Sequence, residues 1–64
     1  MQPEMPSERV QRRIDALLDG ADAALSRRDW QMALESAEAA LGFDPENVEA
    51  ISFMEASRRA LGAA

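Results

Sequence analysis

Apolar side chains recur along this chain at intervals of three and four residues, and no segment alternates apolar with polar as a half-buried strand would, so the pattern predicts helices throughout. Ser7 followed by Glu8 reads as an N-cap with an acid in the first turn. Beyond it, Val10, Ile14, Leu17, Leu18, Ala21, Ala24 and Leu25 form one broad stripe of a helix ending near Arg27. Gly20 interrupts the stripe; it either permits a close helix contact or weakens the rod, and the contact is the preferred reading. Arg27 and Arg28 suit a helix C-terminus, where cations meet the negative end of the dipole, and Asp29 can cap the next helix. Trp30, Ala33, Leu34, Ala37 and Leu41 mark one face of that second helix, roughly 12 residues long. Gly42 is expected as a left-handed stop, with Phe43 folding back on the last turn. Asp44 is then expected to cap a third helix with Pro45 at its first position, Val48, Ile51, Met54 and Leu61 on one face, and Gly62 at its end.

Three helices joined by short loops predict an all-α fold: an antiparallel helical hairpin with a third helix against it. The 64 residues make one domain at most, placed at residues 7–64, and Pro3 and Pro6 make residues 1–6 an extended tail. Apolar residues are 47% of the chain, but 13 of them are Ala and only Trp30, Phe43 and Phe53 are aromatic, so the core must be thin. Such a small domain, without a disulfide or metal, depends on close helix packing or on a partner.

Neither Cys nor His occurs, which excludes thiol catalysis, imidazole acid–base chemistry and the usual zinc sites. The remaining Ser and carboxylates form no nucleophile–base pair or phosphate loop, so no enzyme activity and no cofactor are expected. Seven basic against twelve acidic residues give a net charge of −5, which disfavours nucleic acid and anionic membranes as partners. The Arg doublets at Arg12–Arg13, Arg27–Arg28 and Arg58–Arg59 sit at different helix ends and read as solvated dipole partners rather than a phosphate-contacting set. All seven cations are Arg, which fits the coding bias of a GC-rich, bacterial genome. No signal peptide and no apolar run of membrane-spanning length is present, so the expected location is cytoplasmic.

Shifted by 34 places, Ile14-Asp15-Ala16-Leu17 pairs with Val48-Glu49-Ala50-Ile51, and 34 is the tetratricopeptide period. The stretch from Asp29 to Asn47 resembles a tetratricopeptide (TPR) repeat in four features. Trp30 opens the second helix, Ala33 follows three residues on, Ala40 and Leu41 come near its end, and Asp44-Pro45 closes the unit. The resemblance covers about Ile14 to Asn47 plus the third helix. It departs from the family pattern at Leu17, Ala24 and Ala37, where bulkier or aromatic residues are usual, and at Ala21, where Gly is usual. It implies one repeat plus a capping helix in a right-handed three-helix array, with Ala where helices cross closely.

The resemblance also implies a non-catalytic protein–protein interaction module, an adaptor or scaffold element that docks a peptide or partner domain. By position, its concave surface would comprise Asp15, Leu18, Asp22 and Leu25, with Glu49, Ser52, Ala56 and Arg59 from the third helix. That surface is mostly acidic with two leucines. It lacks the Lys and Asn of the family's carboxylate clamp, so the expected partner carries basic and apolar residues. Leu18 and Leu25 can equally be the near edge of the core. Phe53 lies off the predicted face of the third helix; in a longer array another helix would cover it, and in a lone module it marks either a self-association surface, giving a homodimer, or a ring partly buried against Phe43 or the end of the second helix. Asp15, Asp19 and Asp22 share a helix face, but a rigid helix spreads them too widely for a calcium or magnesium site, so no metal is expected.

Overall fold

A computed structural model describes residues 7–62; the tail expected at residues 1–6 lies outside the described residues. The chain forms three helices, α1 (Glu8–Ser26), α2 (Trp30–Phe43) and α3 (Val48–Gly62), and there is no strand among the described residues. The central helix, α2, packs against both others, whereas α1 and α3 touch each other far less.

The first hairpin follows the sequence closely. The Ser7 hydroxyl accepts from the Val10 N–H at 3.2 Å, satisfying one of the donors that a helix start leaves unpaired. α1 ends in a reciprocal pair of bonds: the Asp29 N–H donates to the Ala24 carbonyl at 2.8 Å and the Arg28 N–H to the Leu25 carbonyl at 3.0 Å. This is the Schellman arrangement, and it places Arg28 in the left-handed region at φ 61°, where glycine is the usual occupant. Arg27 and Arg28 therefore lie in the cap rather than in the last helical turn. Asp29 then accepts from the Met32 N–H at 3.2 Å and starts α2.

The second link departs from expectation in three ways. α2 is 14 residues long and runs through Gly42 to Phe43, and no glycine among the described residues has positive φ. What stops the helix is Pro45. The residue before a proline is pushed out of the helical region, and Asp44 sits at φ −144° and ψ 90°, although its N–H still bonds the Ala40 carbonyl at 3.0 Å. Asp44 does not cap α3. Its side chain accepts from the Glu46 N–H at 3.3 Å, and its carbonyl accepts from the Asn47 N–H at 3.1 Å, closing a turn with Pro45 at the second position. Asn47 is the cap, its side-chain oxygen taking the Ala50 N–H at 2.9 Å. Finally, Phe43 is the last helical residue of α2, exposed rather than folded back.

Small side chains fill the seam around α2. Ala21, Ala24, Ala33, Ala37, Ala40 and Ala50 are completely buried, and Ile14 is the largest side chain with no exposure. Ile14, Leu18, Ala40 and Ala50 form the central cluster, joining all three helices, with Val10, Leu17, Leu41 and Phe53 packed around it. Gly20 faces α2 without being required there. A methyl group added to it would sit 3.7 Å from the Ser36 hydroxyl, an ordinary contact.

The buried face of α3 is rotated from the expected one. Ala50 and Ser57 are its fully buried residues, Val48 is 78% exposed, and Leu61 is also exposed. Consequently α3 is not used as α1 is. The 34-residue shift carries Ile14, Leu17, Ala21 and Ala24 onto Val48, Ile51, Glu55 and Arg58; of the first four, three are fully buried, whereas Val48, Glu55 and Arg58 are exposed and Ile51 is half-buried. The reason is positional. α1 packs on the helix that follows it and α3 on the helix that precedes it, so equivalent faces meet α2 in one case and solvent in the other.

Candidate functional site

A helical period of 100° per residue places Leu18, Leu25, Asp15 and Asp22 on the side of α1 that turns toward α3, and Phe53, Glu49 and Ala56 on the side of α3 that turns toward α1. The two deepest are consistent with this orientation: Leu18 belongs to the central cluster that includes Ala50, and Phe53 packs against that cluster. α1 and α3 both pack chiefly on α2 and touch each other far less, so parts of these two sides stay exposed.

The expected docking residues are not equally available. Asp15, Asp22 and Glu49 are exposed, with Ser52, Ala56 and Arg59 exposed beside them on α3. Leu25 is half-buried. Leu18 is only 7% exposed, so its side chain is spent on the core and can offer a ligand no more than an edge. Asp15 accepts a hydrogen bond from the Gln11 amide at 3.1 Å, one turn earlier, which holds the carboxylate along the helix. Phe53 is half-buried against the central cluster rather than a free ring.

Among the described residues, no three carboxylates lie close enough to hold a metal ion. Three of the hydroxyls have local backbone partners. Ser7 caps α1, the Ser26 hydroxyl donates to the Asp22 carbonyl at 3.1 Å, and the fully buried Ser57 hydroxyl donates to the Phe53 carbonyl at 2.8 Å. Such bonds back to the preceding turn let a hydroxyl lie in an apolar seam without an orphaned donor.

Sequence reasoning overlooked a second region, on the opposite side of α1. Arg9, Val10 and Arg13 of α1 and Phe43 of α2 line a cleft of about 240 Å³. The signal was present in the i, i+4 spacing of Arg9 and Arg13 across Val10. It was hidden because Phe43 was expected to turn back onto its own helix. Among the described residues, no helix is long and apolar enough to cross a membrane. Compared with known proteins, the chain matches no family model, no curated protein and no solved structure, so what is established of its kind is a three-helix all-α domain with adjacent helices packed.

Proposed function

We propose that the chain is a non-catalytic docking module, an adaptor or scaffold element, whose open face between α1 and α3 receives a peptide or partner segment carrying basic and apolar residues. The observation that supports this reading is that α1 and α3 both pack chiefly on α2 and touch each other far less, with Asp15, Asp22 and Glu49 exposed and Leu25 and Phe53 half-buried. The net charge of −5 favours a cationic partner at long range and speeds encounter. Exposed carboxylates contribute modestly each, so affinity would come from apolar side chains reaching Leu25 and Phe53 and specificity from the carboxylates.

The finer reading is a TPR-like hairpin followed by a capping helix. It rests on the motif residues from Trp30 to Pro45, on the alanine seam, and on the outward face of α3. The positions of α3 that would receive a further helix include Glu55 and Arg58, and a polar outer face is what ends a helical array in solution. Self-association through Phe53, the alternative, has less support because much of that ring already lies against the core.

The test is fluorescence anisotropy with a labelled peptide that alternates Lys or Arg with Leu. The double substitution Asp15→Lys with Asp22→Lys is expected to weaken binding by roughly tenfold or more while the helical circular dichroism spectrum persists. Equal affinity of the variant and the parent protein overturns the reading, and so does failure of the peptide to bind at all.

A further inference from the structure

We infer that the cleft between the first turns of α1 and the last turn of α2 is a second docking site, opposite in charge preference to the first, for a peptide segment that presents one large apolar side chain beside carboxylates. The cleft has an apolar interior and a cationic rim. Of the residues that line it, Val10 is half-buried, Phe43 has 46% of its surface exposed, and the exposed Arg9 and Arg13 stand one turn apart on α1. Among the described residues neither guanidinium has a carboxylate or a carbonyl partner, whereas Arg58 pairs with Glu38 at 3.4 Å. In a chain with an excess of five negative charges, two cations that have no partner among the described residues, beside an apolar slot, are a local reversal of sign.

Size and charge together select the occupant. About 240 Å³ lies below the roughly 300–1,000 Å³ of small-molecule sites, and an open cleft of that size accommodates one side chain of a longer ligand. The fork of a guanidinium matches a carboxylate in plane and in charge, and two of them one turn apart suit acids on both sides of the inserted residue. Repulsion sets specificity here: the rim that attracts an acidic segment rejects the basic segment proposed for the α1/α3 face. The two sites lie on different sides of α1, so one module could hold a basic partner and an acidic partner at once.

The experiment uses the full chain, labelled with ¹⁵N, titrated with a short peptide in which Phe or Leu is flanked by Glu, and with its Lys-flanked counterpart. The acidic peptide is expected to shift the amide resonances of Arg9, Val10, Arg13 and Phe43, leaving those of Asp15, Asp22 and Glu49 in place. Arg9→Glu with Arg13→Glu should weaken it by roughly tenfold or more, and Phe43→Ala should weaken it at an unchanged circular dichroism spectrum. Four results would each overturn the inference: no shifts at millimolar peptide; the same shifts with the Lys-flanked peptide; binding only after removal of residues 1–6, which would make the tail the occupant; or the same shifts on raising protein concentration without peptide, which would make the occupant a second copy. Since the probe and the substituted residues differ from those of the α1/α3 face, either site can fail without the other.

Discussion

The two helical hairpins of this molecule share α2 but are built differently. Between α1 and α2 the chain reverses through the cap at Arg27–Asp29, and the fully buried residues are mostly small, Ala21 and Ala24 on α1 and Ala33, Ala37 and Ala40 on α2. Between α2 and α3 it reverses through the Asp44–Asn47 turn, and Ala50 and Ser57 are the fully buried residues that α3 contributes, while Ile51, Phe53 and Met54 on α3 and Leu41 on α2 remain half-buried. A seam of methyl groups gains only about 0.8 kcal/mol per buried carbon, so its strength lies in number and fit. Large, half-exposed side chains gain from area and tolerate adjustment. The first hairpin is consequently sensitive to added volume, and the second has surface to spare for other contacts.

Ile14 belongs to the cluster that joins all three helices, and its loss should have the largest effect. Ile14→Ala removes the largest fully buried side chain and should destabilise by about 2–5 kcal/mol, enough to leave so small a domain partly unfolded in a urea titration. Next, Ala37→Leu should cost about 1–3 kcal/mol through overpacking, whereas Ala39→Leu, on the exposed side of the same helix, should change the thermal midpoint little. Equal melting of the two variants would remove the distinction between seam and surface.

Arg28→Gly should stabilise the first hairpin by about 1 kcal/mol, because the left-handed position that closes α1 costs a residue with a Cβ. Gly20→Ala should stabilise by about 0.5–1 kcal/mol, since a methyl group there meets only the Ser36 hydroxyl at contact distance. A loss of stability in Gly20→Ala would restore the tight contact that its position in the stripe suggests. The Arg58–Glu38 pair across the second hairpin is exposed on both sides and adds little.

Local chemistry was legible wherever it acts within a few residues. Ser7 and Asp29 cap as their types dictate, and the three-and-four spacing marks the buried stripe of α1 almost residue by residue. Gly42 misleads because a glycine permits a left-handed stop without forcing one, while Pro45 forbids helical geometry in the residue before it. The same proline, at a good first helical position, concealed that Asn47 is the better-placed cap. For the candidate face, the exposed carboxylates Asp15, Asp22 and Glu49 could be picked from the helical period, but the depth of Leu18 could not.

What the sequence determined by itself is the number of helices, the N-caps of α1 and α2 and the small-residue character of the buried stripes, because these follow from residue types and from spacings of three and four along the chain. Which side of α3 turns inward, whether Phe53 or Val48 meets the core, and that Phe43 stands beside Arg9 and Arg13 were decided by tertiary packing alone. α3 carries apolar residues on more than one side, and an amphipathic period cannot choose among them. The choice falls to the surface that α1 and α2 present, with Leu41 and Ala40 at the central cluster against one flank of α3 and the other flank in water.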